Sequence, residues 1–198
     1  ALCAQLDRQA LQHLAAADAL MGLAGHRRQQ VWDASALQTA PLLLRRAPVN
    51  EATLDLDEAP EGEAIVWDYA STRLTLRRHP LALLRERLQA RRFMTAEMLK
   101  DAPDGRLVRA CGIVTGRQQP DTSQGVVFVT LEDETGVVQV IVWRAVRERQ
   151  RHELTRSRLM AVHGVWQREG EVCNLIAGRL EDLTPLLGRL ATESRDFH

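Results

Sequence analysis

Residues 106–136, RLVRACGIVTGRQQPDTSQGVVFVTLEDETG, decide the fold. Val108, Ala110, Gly112 and Val114 alternate with outward positions, the period-two pattern of a half-buried strand, with a glycine where the strand must bend. A basic, polar loop follows. Val127, Val129 and Leu131 then resume the alternation, and Glu132-Asp133-Glu134-Thr135-Gly136 supplies a tight hairpin turn whose glycine tolerates positive φ. Val138, Val140 and Val142 mark a third strand on the far side of that turn.

Working outward, residues 145–156 are helix-prone, a fourth strand is expected over 159–167, and Glu169-Gly170-Glu171 turns it back into a fifth over 172–180. Five strands with a helix after the third is the order of an OB-fold barrel, a fold that binds single-stranded nucleic acid across its second and third strands. The fold class read from the whole sequence is therefore α+β: an N-terminal helical segment followed by a five-stranded OB-fold β-barrel at 105–187. If the valines fill the barrel, the opposite parity faces outward. That parity gives Phe128 and Thr130 on the second strand, Gln139, Ile141 and Trp143 on the third, and Arg109 on the first. A phenylalanine beside a glutamine offers stacking and base-edge hydrogen bonds, while Arg109 and Arg117 can hold phosphates, and Gln118 next to Arg117 is a further nucleic-acid contact. The alternative is that Phe128 packs beneath the loop between the first two strands or against the helical segment.

The 198 residues carry 26 basic and 26 acidic side chains, so no global field draws nucleic acid and any affinity must be local. Hydrophobic residues make up 45% of the chain, enough for a core in one or two domains. Cys3, Cys111 and Cys173 are odd in number and far apart, without the spacing of a disulfide framework or a zinc site, which fits a reducing cytoplasm. No apolar run is long enough for a membrane span, and Asp7 sits where a signal peptide would be apolar. Residues 1–46 read as a helical hairpin broken at Gly22 and Gly25, with a second helix around 27–36; lacking an initial methionine, the segment reads as cut from something larger. Residues 47–72 are proline-rich and acidic, with Glu51, Asp55, Asp57, Glu58, Glu61, Glu63 and Asp68, and read as a linker or solvated wrap. Residues 73–104 reverse the charge and read as a basic helical connector, with His79-Pro80 as a helix start and Leu81, Leu84 and Leu88 as its apolar stripe. Those arginines either track a nucleic-acid backbone or form a polar face paired with the acidic stretch. Residues 188–198 are a C-terminal tail.

Sites for catalysis are weak. Asp133 and Glu134 are adjacent acids in a hairpin turn, where solvation is expected rather than metal binding. Ser194, Asp196 and His198 have the residue types of a catalytic triad but sit in a tail too short to orient a base. His163 alternates with strand residues as a packed or surface histidine. No catalytic residue and no metal ligand is assigned. Phe197, after the apolar run 183–190, is expected to pack on this chain or on a partner, with Arg195 and His198 beside it; the alternative is an exposed, disordered end.

The strings LRRHPLALLR, GIVTGRQQPDTSQGVVFVTLEDETGVVQVIVW and SRDFH resemble the C-terminal part of the bacterial C-family error-prone DNA polymerases of the ImuC type. AADALMGLAGHRRQQVW is similar to the end of the helix-hairpin-helix region that precedes the barrel in that family. The resemblance implies a complete protein that is a DNA-directed DNA polymerase of damage-induced mutagenesis. Its N-terminal PHP domain and its palm, with catalytic acids for magnesium, are absent from these residues, so no cofactor is expected here. It implies an OB domain contacting single-stranded template, and a region where ImuA-type and ImuB-type partners attach. VFVTLEDETGVVQVIV is also similar to the anticodon-binding barrel of class II aminoacyl-tRNA synthetases, in which the positions matching Phe128 and Gln139 face RNA bases. A docking module for the partner proteins, with the barrel as scaffold, is the alternative function.

Overall fold

The structure, a computed structural model, describes residues 6–36, 54–120 and 125–187. It divides into two compact units, Ala1–Arg77 and Arg78–His198.

In the first unit, α1 (Arg8–Ala16), the single turn α2 (Met21–Ala24) and α3 (Arg27–Ala36) are joined by short turns. Asp7 caps α1, its carboxylate accepting from the Ala10 N–H at 2.7 Å. The turns are held by a buried amide: Gln30 donates to Asp18 and to the Gly25 carbonyl, both at 2.7 Å, and accepts from the Leu20 N–H at 3.0 Å. A fourth helix, α4 (Glu61–Ser71), joins them. The stretch 47–72 is thus more than an acidic linker where it is described. Asp68 is buried and ion-paired to buried Arg27, and Arg77 reaches both Asp18 (2.6 Å) and Asp68 (3.4 Å). Composition alone reads Asp68 as solvated; three-dimensional pairing with Arg27 and Arg77 makes its burial tolerable. Part of the charge reversal in the sequence is therefore spent on pairs inside this unit.

The second unit is a closed barrel of β1 (Leu107–Gln118), β2 (Val127–Asp133), β3 (Gly136–Val142), β4 (Leu159–Glu169) and β5 (Val172–Asp182), in the order β1-β2-β3-β5-β4. This is the OB architecture read from the sequence. Val108, Val114, Val129, Leu131, Val140, Val142, Val162 and Leu175 fill the interior. Each such side chain is worth roughly 1.5–3 kcal/mol when fully removed from water. Gly112 lets β1 pass close against β2, since a Cβ there would stand 2.8 Å from Leu131 Cβ.

Short helices close and flank the barrel. The connection between β3 and β4 contains α7 (Arg144–Arg149) and α8 (Arg151–Arg156), whose Val146 and Leu154 enter the core. The expected single helix is broken at Gln150, whose side chain pairs with the backbone N–H (2.9 Å) and carbonyl (2.7 Å) of Leu180 on β5. α6 (Ala96–Lys100) adds Ala96 and Leu99 to the same core. α5 (Pro80–Ala90) starts as expected at His79-Pro80, with His79 Nδ1 accepting from the Leu81 N–H at 3.1 Å. Its Leu81, Leu84 and Leu88 cover Cys111, Leu159 and Ala161 on the outside of β1 and β4, joined by Leu187 of α9 (Thr184–Leu187).

Candidate nucleic-acid interface

On the outside of β2 and β3 the pairing register sets side chains in rows. Gln118, Phe128 and Ile141 lie across β1, β2 and β3, and Gly116, Thr130 and Gln139 form the neighbouring row. Phe128 is 37% exposed, and Trp143, just beyond β3, is 53% exposed. The Thr130 hydroxyl donates to Gln139 Oε1 at 3.2 Å, so the exposed Gln139 presents its amide N–H groups to solvent. An exposed ring beside a polar pair can stack a base and hydrogen-bond its edge.

The structure brings Gln118, Phe128, Thr130, Gln139 and Trp143 to this side of the barrel, but not the two arginines read as phosphate ligands. Arg117 donates to the carbonyls of Leu154 (2.7 Å) and Ser157, which ties β1 to the end of α8. Arg109 pairs in register with His163 on β4, in the part of β1 that precedes its pairing with β2. The sequence reading missed Arg144 and Arg147, which lie beside Gly125 at the end of the β1–β2 loop. Arg147 donates to the Gly125 carbonyl at 3.2 Å, and Arg144 is an exposed side chain next to Trp143, paired with Glu148 at 2.7 Å. Their position immediately after the outward Trp143 was the available signal. Arg195, Phe197 and His198, with Ser194 and Asp196, lie outside the described residues.

The hairpin acids are not a solvated turn. Asp133 is buried, accepting from the Ala96 N–H (2.8 Å), the Thr135 N–H (2.8 Å) and hydroxyl (2.7 Å), and the Gly136 N–H (3.0 Å). Glu134 is clamped by Arg85 of α5. With its oxygens so committed, Asp133 serves the fold. Among the described residues no three His, Cys, Asp or Glu side chains converge as a metal ion requires. Cys111 and Cys173 are free thiols, and burial pushes the Cys111 thiol up to about 12, which leaves it unreactive. Among the described residues no helix is long and apolar enough to cross a membrane.

Residues 108–183 match the family described as an OB-fold nucleic acid binding domain. An error-prone DNA polymerase of Ralstonia nicotianae is 54% identical over 198 residues, and one of Azoarcus sp. is 53% identical over 195; each alignment covers 98% of this chain and 18% of the relative. Along nearly its whole length the chain is homologous to part of the error-prone DNA polymerases. It spans about 18% of the length of those polymerases. Among solved structures, asparaginyl-tRNA synthetase from Pyrococcus horikoshii is 22% identical with a TM-score of 0.39, covering 46% of this chain and 23% of its own. The polymerase homology thus stands on sequence, and the barrel on its own topology.

Proposed function

We propose that this chain is the non-catalytic C-terminal part of an error-prone DNA-directed DNA polymerase that acts in damage-induced mutagenesis, and that its barrel holds single-stranded template on the β2–β3 face. The observation that carries this reading is the exposed Phe128 set between Gln118 and Ile141 and beside the Thr130–Gln139 pair, in a chain homologous to that polymerase family. Phe128 stacks on a base, Gln139 offers amide hydrogens to a base edge, and Arg144 meets phosphate beside Trp143. A ring binds any base face, so such a site tolerates altered sequence. The closed barrel fixes these groups in advance, which lowers the entropy lost on binding. Catalysis, with its magnesium, belongs to the polymerase outside these residues, and the setting is the bacterial cytoplasm.

Fluorescence anisotropy with labelled oligo-dT tests the reading. Phe128→Ala removes a contact worth about 1–3 kcal/mol and lowers affinity roughly tenfold without lowering the melting temperature. Affinity falls with added salt, with the shallow slope of a site that neutralises few phosphates. Unchanged binding by Phe128→Ala refutes the stacking role.

A second reading, docking of ImuA-type and ImuB-type proteins, is favoured by apolar side chains that the first unit leaves in solvent, Leu23 at 86% and Trp32 at 50% exposure. A pull-down with those partners, repeated after deleting 189–198 to remove Arg195, Phe197 and His198, decides it. Capture by the intact chain supports docking and its loss on deletion assigns it to the tail, while no capture by the intact chain rejects it.

A further inference from the structure

Away from the β2–β3 face, an open groove of about 1290 Å³ runs along the outside of β1, β4 and β5 beneath the end of α5 and α6. Two rows of side chains form its floor. Arg109, His163 and Arg179 stand in register across the three strands, and Leu107, Val165 and Ile176 form the next row. Arg106 and Arg92 complete the basic lining, against which Asp101 is the acidic residue. None of the four guanidinium groups has a side-chain hydrogen bond or ion pair among the described residues, unlike Arg85, Arg91 and Arg117 nearby. The apolar row is open as well, with Leu107 80% and Val165 38% exposed, and Met98 of α6, also in the lining, is 51% exposed.

We propose that this groove binds an acidic peptide segment bearing apolar side chains, separately from the nucleic-acid face. Guanidinium forks without a side-chain partner among the described residues suit bidentate carboxylates, and the aliphatic row suits the apolar side chains between them. Nucleic acid fits less well. Bases need rings to stack on, and the phenylalanine here, Phe93, is 3% exposed with its ring against His163. The exposed rings among the described residues of this unit, Phe128 and Trp143, lie elsewhere.

The backbone presents one of these arginines at a conformational cost. α5 ends in a Schellman motif in which the Phe93 N–H meets the Leu88 carbonyl (3.1 Å) and the Arg92 N–H meets the Gln89 carbonyl (2.8 Å). The left-handed position, where glycine is favoured, is held by Arg92 at φ 62°.

The test uses the 198-residue chain and two fluorescein-labelled probes: a 15-residue peptide of alternating acidic and leucine residues, and oligo-dT. A control peptide has serine in place of leucine. The peptide binds more tightly than its serine control. Arg106→Ala combined with Arg179→Ala weakens the peptide roughly tenfold, changes oligo-dT affinity by less than about twofold, and leaves the melting temperature unchanged, since neither side chain has a side-chain partner among the described residues. Phe128→Ala does the reverse. Peptide binding no better than the serine control overturns the proposal. So does a loss of oligo-dT affinity in the arginine variant as large as the loss for peptide, which would make the groove a nucleic-acid path. If peptide binds while oligo-dT does not, the single-strand reading fails and the groove stands. If oligo-dT binds while peptide does not, the groove fails and the single-strand reading stands.

Discussion

At Gly164 a Cβ would lie 2.0 Å from the carbonyl oxygen of Ile176, beside the register shift between β4 and β5. Backbone cannot yield as a flexible side chain does, so Gly164→Ala is expected to destabilise the second unit by about 3 kcal/mol, read in a thermal or urea melt. His79 makes a second prediction. Its ring nitrogen must be unprotonated to cap α5, and burial holds it below the ordinary imidazole value of 6.5, as it does His163, where Arg109 adds to the effect. A histidine whose folded value is depressed is protonated first in the unfolded chain. Its contribution to stability is therefore complete above pH 6.5 and is lost as pH falls through 6.5 toward the lower folded value. The melting temperature should drop between about pH 7 and pH 5, and His79→Asn, which keeps a capping oxygen, should flatten that drop. Alternation made Phe128, Thr130 and Gln139 legible as outward residues. It gave no sign that Arg117 would be spent on the Leu154 and Ser157 carbonyls, because that partner lies 37 residues away in the chain.

Among the elements, strands and hairpin were the most legible, since period-two valine patterns report burial directly. Helix ends were legible where local chemistry marks them, as at His79-Pro80. The break at Gln150 and the burial of Asp68 were not, because each rests on a partner distant in sequence: Leu180 for one, Arg27 for the other. Acidic composition marked 47–72 as solvated, and α4 shows that pairing can override composition. The end of α5 carries its own prediction. Arg92→Gly relieves a left-handed conformation that costs a side-chain-bearing residue about 1 kcal/mol, so it should raise the melting temperature while weakening the acidic peptide. A fall in stability would show that Arg92 contributes packing rather than strain.

For the whole molecule, the sequence made a barrel preceded by helices legible and placed the single-strand reading on the β2–β3 face, while the distribution of charge around the barrel stayed hidden. Equal numbers of acids and bases conceal that β1, β4 and β5 gather arginines without side-chain partners among the described residues on one flank, whereas the outward row of β2 carries Glu132 beside Phe128 and Thr130. Register, which sets Arg109 beside His163 and His163 beside Arg179, is a property of strand pairing, the first of these pairs lying 54 residues apart in the chain. The two flanks accordingly suit different ligands. The most direct test is a chemical-shift map of the isotope-labelled chain during titration with oligo-dT. Shifts centred on the amides of 127–133 and 136–143, together with Gln118, are the predicted result. Shifts confined to the flank of Leu107, Arg109, Val165 and Arg179, with β2 and β3 unmoved, would contradict it.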